Sequence, residues 1–395
     1  MKNQRGFSLV ELLITMVIFV FAIVAVANIF LGLLNQFKQQ SKIAETNIEG
    51  LVGLKMLKAD IEQAGYGLPY DINGADYDEA SGLDILTIGF NATAYNDSGA
   101  PGNPPRGLLI GDRLTMTNRS DVLVVKATNV AINDAAQKWA YMTNNGAAST
   151  ITAWTNAAGA NIADENFTNG DLVTILRPVQ GAAQRILQVS GGTFFATFNN
   201  INILTSDLAP ATNSFQTYLI YGISGTANPI MPFNRADYYV RIPTATPMPT
   251  QCAPGTGIFY KGTINHTAGG GSHSELPLLD CVAAMKVVLA RDTNADGIID
   301  NYLFNAAWPV GTTAADIRSQ LKEIRIYILL HEGQRDVNYT YTAQGADLLL
   351  GADHIGIRDP QVGLAPGQEL LDYTVPDRNY RWKIYSMVIT PYNLR

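Results

Sequence analysis

Two cysteines, four histidines and only 15% charged residues in a chain of 395 set the first limits. Two cysteines cannot make a disulfide-dense scaffold or a four-cysteine zinc site. Cys252 and Cys281 also lack the C-x-x-C spacing of a redox or metal pair. His266, His273, His331 and His354 show no zinc-type spacing, and His266 and His273 fall in a Gly/Ser-rich stretch where exposure is the simpler expectation. Gly271-Ser272-His273 invites a nucleophile reading, but no Gly-x-Ser-x-Gly turn surrounds it. No βαβ periodicity occurs, which speaks against a doubly wound nucleotide fold. A net charge of −7 argues against general binding to a phosphate backbone. Arg378, Tyr380, Arg381, Trp382, Lys383 and Tyr385 interleave bases with aromatics as single-strand binders do, yet an ordinary closing strand with snorkelling cations explains them more simply.

Charge is absent altogether from Leu12 to Leu34, 23 consecutive positions. At about 1.5 Å per residue such a helix is about 34 Å long, enough to cross a hydrocarbon core of roughly 30 Å. Lys2 and Arg5 precede it and favour a cytoplasmic start. Glu11 stands at its mouth, where a carboxylate at bilayer depth costs about 2.5–3.5 kcal/mol on insertion scales and so calls for a partner. Ala25-Val26-Ala27 offers an A-x-A secretory cut, but the apolar run continues through Ile29 to Leu34. Beyond it Ile48, Leu51, Leu54, Leu57 and Ile61 recur at helical spacing, so one stripe should meet a partner surface. Gly65, Gly67 and Pro69 end the pattern. One helix from Phe7 to about Ala64 is expected.

After Tyr70 the chain reads as short strands between Gly, Asn, Pro and Asp. Candidates are 84–90, 113–116, 121–126, 171–176, 185–189, 217–221, 238–242, 285–290, 323–330 and 382–389. In the Glu323 run, Ile324, Ile326, Ile328 and Leu330 alternate with Glu323, Arg325 and Tyr327, a half-buried antiparallel pattern. The Ala/Asn/Thr-rich stretch 128–169 reads as an insertion or surface excursion. The expected fold class is α+β, a long N-terminal helix packed on a large antiparallel β-rich head.

For a head exported into an oxidising space, Cys252 and Cys281 are expected to pair. On the chain-entropy account this contributes roughly 3–4 kcal/mol. It would tether a segment expected to be flexible from Gly255, Gly257, Gly262 and Gly269-Gly270-Gly271. The sharpest constellation is Asp292-Thr293-Asn294-Ala295-Asp296-Gly297-Ile298-Ile299-Asp300. Oxygens of Asp292, Asn294, Asp296 and Asp300 with the Ile298 carbonyl suit a hard cation, although Leu303 stands where an EF-hand has its bidentate glutamate. A polar hairpin turn is the alternative. A second acidic group, Asp71, Asn73, Asp76, Asp78 and Glu79, reads as a solvated loop.

Gly6-Phe7-Ser8-Leu9-Val10-Glu11-Leu12 resembles the class III signal of type IV pilins and type II secretion pseudopilins. The resemblance implies that a prepilin peptidase cleaves after Gly6 and methylates Phe7. It also implies that Glu11, fifth in the mature chain, pairs with the terminal ammonium of a neighbouring subunit. The organisation it implies is a leader over 1–6, a transmembrane or filament-core helix over 7–34, an amphipathic continuation over 35–66, and an extracytoplasmic head over 67–395. Asp60-Ile61-Glu62-Gln63-Ala64-Gly65-Tyr66, the Asp292 loop and the closing strand from Arg381 to Arg395 further resemble the PilW family of minor pilins, with Glu62 where that family more often has arginine. The loop itself is similar to the short D-x-D-x-D-G-x-x-D loops of extracellular and pilus proteins, which implies a structural calcium.

These likenesses imply a non-enzymatic minor pilin that primes filament assembly and sits at the pilus tip. The implied location is the inner membrane, single-pass with a periplasmic head, before assembly carries it to the cell surface. The implied partners are prepilin peptidase, minor and major pilins, the inner-membrane assembly platform and a large tip adhesin, and not nucleic acid. A J-like secretion pseudopilin and a tip adhesin or DNA-uptake receptor are the alternatives.

Overall fold

The computed structural model describes residues 8–83, 89–97, 103–112, 120–144, 149–179, 185–199, 202–203, 208–210, 216–225, 228–244, 247–266, 272–304, 307–342, 348–349, 354–364 and 368–394. A helix of 54 residues, α1 (Leu9–Glu62), opens the chain. It starts where Ser8 caps it and stops where Gly65 and Gly67 take positive φ values of 83° and 66°. Eighteen strands follow among the described residues: β1 (Leu108–Gly111), β2 (Val122–Ala127), β3 (Trp139–Asn144), β4 (Ser149–Ile151), β5 (Leu172–Pro178), β6 (Arg185–Leu187), β7 (Phe195–Asn199), β8 (Asn202–Ile203), β9 (Tyr218–Gly222), β10 (Asn234–Arg241), β11 (Gly257–Ile264), β12 (His273–Arg291), β13 (Asn301–Leu303), β14 (Leu321–Glu332), β15 (Leu348–Leu349), β16 (His354–Ile357), β17 (Leu371–Thr374) and β18 (Arg381–Ile389).

The main sheet runs β1-β2-β10-β11-β12-β14-β18, with β13 added on β12, and its ladders are antiparallel. The second half of α1 packs on one face of it, across β12, β14 and β18. The three-stranded sheet β15-β16-β17 covers the other face there, so Tyr327 and Leu329 are buried with Ile355, Ile357 and Trp382. The half-buried pattern expected for the Glu323 run is therefore wrong. Ile324, Ile326 and Ile328 join the core that holds Leu57 and Ile61, and Arg325, Tyr327 and Leu329 are covered from the other side.

A second sheet, β4-β3-β9-β5-β7-β8 with β6 on β5, carries its own core around Met142, Ile175, Phe198 and Ile220. It is spliced between β2 and β10, which are neighbours in the main sheet. The stretch 128–169 supplies β3 and β4 to it, and the sheet continues to Gly222. The segment around Gly257 and Gly262 is not a flexible loop. It is the buried strand β11, where Gly262 lets the Tyr239 ring lie against the backbone. The strands expected at 84–88 of 84–90 and at 113–116 lie outside the described residues.

The stripe that docks α1 differs from the expected one. Leu54, Leu57, Ile61 and Ala64 are buried as their spacing requires, but Ile48 and Leu51 are 67% and 55% exposed. The docked line runs through Gly50 and Gly53 instead. A Cβ on Gly53 would sit 2.5 Å from the Leu278 carbonyl oxygen, and one on Gly50 would sit 3.2 Å from the Leu279 side chain. Two glycines thus bring the helix axis close to β12. Asp60, on the same face, is buried against the Tyr238 hydroxyl and the Lys261 ammonium, both of which donate to its carboxylate. At the end of the helix Gly65 N–H donates to the Lys126 carbonyl at 3.0 Å, and the Leu394 side chain fills the space beside Gly65 and Gly107.

Gly53→Ala should lower stability by about 1–3 kcal/mol, because the methyl meets a backbone oxygen that cannot step aside. Gly32→Ala, with nothing within 4 Å of its Cβ, should be neutral or stabilising. Thermal unfolding of the detergent-solubilised chain measures both; an unchanged melting temperature for Gly53→Ala would contradict the close approach.

Candidate functional site

Among the described residues the first three-fifths of α1 leaves its apolar side chains bare. Leu9, Leu13, Phe19, Phe21, Ile29, Phe30 and Phe37 are all more than half exposed. A bare apolar helix of this length needs lipid or other helices around it. Gly6 and Phe7 lie outside the described residues. Glu11 is exposed, and its carboxylate accepts the Ser8 N–H at 3.0 Å while Ser8 Oγ accepts the Glu11 N–H at 3.2 Å. This reciprocal pair is a capping box, legible in the sequence as Ser8-x-x-Glu11 but not expected above. Glu11 therefore holds the helix start within its own chain, and one of its oxygens lies at the backbone N–H that directly follows Phe7.

Cys252 and Cys281 form a disulfide, with S–S 1.99 Å and Cα–Cα 4.8 Å. His331 lies beside them, its ligand atom within 4.8 Å of both sulfurs. With the sulfurs bonded to each other the trio is not a thiolate metal site. His331 Nε2 accepts the Ala253 N–H at 2.8 Å, which fixes the turn that carries Cys252, and its ring lies 4.4 Å from that of Tyr380. Burial holds its pKa down to about 4, against weaker upward pulls from the Gly333 and Glu332 backbone.

The Asp292 loop is a string of side-chain-to-backbone turns. Asn294 Oδ1 accepts from Asp296 N–H at 3.0 Å, and Asp296 Oδ1 accepts from Ile298 N–H at 2.8 Å. Asp300 accepts from both the backbone and the hydroxyl of Thr293, and Asp292 Oδ2 accepts from Gly297 N–H at 2.8 Å and pairs with Lys322 at 3.2 Å. Ile298 is 68% exposed. Asp292 Oδ1 is the exception: it is buried and has no hydrogen-bond partner among the described residues. That orphan oxygen is the observation here that fits a cation.

In the second acidic group Asp71, Asn73, Asp76 and Asp78 are exposed, as a solvated loop requires, but Glu79 is not. Glu79 is 1% exposed and pairs with Lys126 at 2.6 Å and Arg235 at 3.2 Å, both fully buried. Lys126 also meets Asp97 at 2.7 Å, Arg235 meets Asp237 at 2.8 Å, and Arg106 closes the set on Asp97. The three cations balance the three carboxylates. Nothing in the local sequence around Glu79 signals this, because its partners are 47 and 156 positions away. His266 is likewise buried rather than exposed, with Nε2 2.9 Å from Asn234 Oδ1, and burial lowers its pKa to about 4.

Comparison with known proteins bears on the N-terminus. Residues 1–27 match the prokaryotic N-terminal methylation motif. The N-terminus is of the prepilin type. Such a start implies processing by prepilin peptidase, anchoring in a membrane and assembly with other pilins. Among solved structures the chain is similar to the type IV-like pilin TTHA1219 from Thermus thermophilus, at 15% identity over 41% of this chain and 69% of that one, with a TM-score of 0.24. That likeness is too slight to describe the head. No curated protein sequence matches the chain.

Both low histidine pKa values carry one sign. The folded values near 4 lie below the unfolded value of 6.5, so the stability of the neutral rings is complete above about pH 6.5 and is lost as pH falls towards 4. Glu275 acts lower: burial raises its pKa, but hydrogen bonds from His273, Arg241 and Tyr239 outweigh that and hold it at about 2, so its contribution is lost only below about pH 4.5. Between pH 6.5 and 4.5 His331 and His266 should therefore lower the melting temperature, against an opposing gain from carboxyls that burial raises, Asp60, Asp237 and Asp280. His331→Gln should make that fall shallower, by on the order of 2–3 kcal/mol in linkage. Equal pH slopes for wild type and variant would refute the assignment.

Proposed function

We infer that this chain is a minor pilin of a type IV pilus, a non-enzymatic subunit that helps to prime filament assembly and resides at the tip. The observation that carries the reading is the division of one helix into two parts. Behind a prepilin-type start, the first part is bare and apolar, while the second is locked into the head through Gly53, Leu57 and Ile61. Only a neighbouring helix or a lipid can cover the first part, and a filament of pilin helices covers it after extraction from the membrane. The head supports the tip position by its bulk: a second sheet and a third are added to the main one, and a subunit so large repeated along a shaft would collide with its neighbours. A J-like secretion pseudopilin shares the same N-terminal chemistry and differs in the machinery it would join. A tip adhesin or DNA-uptake receptor differs in asking the head to hold a ligand.

In this reading Gly6 is the cleavage position and Phe7 the methylated terminus. Glu11 exchanges its own Ser8 N–H for the ammonium of an adjacent subunit, a stronger partner in a low-dielectric bundle. The mature protein should begin at N-methyl-Phe7 by mass spectrometry of its N-terminal peptide; a start at Asn28 would sink the proposal. Glu11→Val should still be cleaved but should enter pili at least ten-fold less, scored by immunoblot of sheared filaments against the membrane fraction.

Calcium, if bound, would be held by the orphan Asp292 Oδ1 together with Asn294, Asp296, Asp300 and the Ile298 carbonyl, and would supply fixed positive charge that orders the loop between β12 and β13. Added calcium should then raise the melting temperature by several degrees, and Asp296→Ala should remove that rise. No shift at millimolar calcium would leave the loop as the turn that its hydrogen bonds already form.

A further inference from the structure

A cavity of about 530 Å³ opens between the free side of β18 and the segments that surround the third sheet. Its size falls in the range of small-ligand sites. Aromatic rings of Tyr327, Tyr339, Tyr341 and Trp382 line it, and Asp359, Arg358 and Ser386 add polar groups. The rings are held from behind. Trp382 Nε1 donates to the Asp377 carbonyl at 3.0 Å, Arg378 donates to the Tyr341 carbonyl at 2.8 Å, and the Arg381 guanidinium lies 4.2 Å from the Tyr339 ring centre. Tyr327 Oη donates to Asp359, whose carboxylate also pairs with Arg325 at 2.7 Å. The cavity is thus built of side chains fixed before anything binds.

One polar atom of its lining residues makes no hydrogen bond among the described residues: Arg358 Nε, which is buried from solvent. A buried donor left unmade costs about 1–3 kcal/mol, and a guanidinium fork suits a planar carboxylate. The nearest acid in sequence, Asp359, is already committed to Arg325, Tyr327 and the Gln361 N–H. Aromatic faces beside hydroxyl and carboxylate edges match a pyranose, whose C–H faces are apolar and whose rim is hydroxylated. A purely apolar ligand would leave the Arg358 donor unmade. A polyphosphate chain needs several free cations, and Lys383 in the lining is already paired to Glu332 at 2.6 Å.

We propose that the cavity between β18 and the third sheet binds a carboxylate-bearing sugar, with the half-buried Tyr339 against the ring, the edges of Tyr327, Tyr341 and Trp382 beneath it, and Arg358 on the acid. The site is independent of how the helix assembles, so its test and that of the minor-pilin reading can fail separately. The measurement is calorimetric titration of the full chain in lipid nanodiscs with three acidic trisaccharides, ending in galacturonate, glucuronate or N-acetylneuraminate. The neutral trigalactoside is the comparison. At least one acidic sugar should bind, at least ten-fold more tightly than the neutral one. Arg358→Gln should weaken it ten-fold or more. Ser386→Trp, which places bulk at the cavity mouth from an exposed position, should abolish it with the melting temperature kept. If Arg358→Gln fails to fold, Ser386→Trp carries the test alone. Absence of heat with all three acids, equal affinity for the neutral sugar, or binding that survives Ser386→Trp would each overturn the proposal. So would displacement of the sugar site by an extended peptide paired along β18.

Discussion

The close contact of α1 with β12 is the constraint on which the rest of the molecule depends. Gly53 brings the helix to the Leu278 carbonyl at a distance that no side chain would allow, and Leu57 and Ile61 then seal against the sheet. Asp60 lies on the same buried face, an acid in an apolar stripe. Burial raises its pKa, and the Lys261 charge with the Lys261 and Tyr238 hydrogen bonds only partly offsets that. A raised carboxyl pKa means that the ionised form weakens the fold as pH rises through the shifted value. The ion pair is therefore a poor source of net stability. What it does fix is rotation and register: a helix turned by one residue would leave Lys261 buried and unpaired, which costs several kcal/mol.

The same logic recurs at the far side of the main sheet. Glu79, Lys126, Asp97, Arg106, Arg235 and Asp237 form a closed set in which every charge faces an opposite one. Lys126 and Arg235 stand opposite each other in the β2–β10 ladder, so two like charges on adjacent strands tolerate each other only because Glu79 bridges them from the segment after α1. The 71–97 segment is thereby tied across the strands that flank the inserted sheet. Such a tie lets a sheet of separate core be spliced between two neighbouring strands without opening the ladder between them.

Much of the architecture was readable from periodicity. The uncharged run from Leu12, the spacing of Leu54, Leu57 and Ile61, and the glycines after Ala64 define α1 to within a few residues, because helix length and termination are local properties. The disulfide was readable because only one pairing exists. What escaped depends on tertiary cover. Ile48 and Leu51 carry the right spacing but point away, since a backbone carbonyl rather than a side-chain groove selects the docked face. The 257–264 segment looked like a loop from its glycines, yet each fits against a ring or a strand. Glu79 and His266 looked exposed because their partners are distant in sequence. At the N-terminus Ser8-x-x-Glu11 was a local signal that attention to the carboxylate's membrane depth obscured.

Under the minor-pilin proposal the capping box would give Glu11 two settings. In the isolated chain its carboxylate neutralises an N–H at the positive end of a 54-residue helix, where a negative charge is favoured. That satisfies the acid well enough for the subunit to wait in a membrane without a partner. The bond is to a single neutral N–H, however, and an ammonium brought alongside would bind the same oxygens more strongly. The proposed assembly contact at the first turn of α1 thus lies some forty residues from the Gly53 contact that fixes the head.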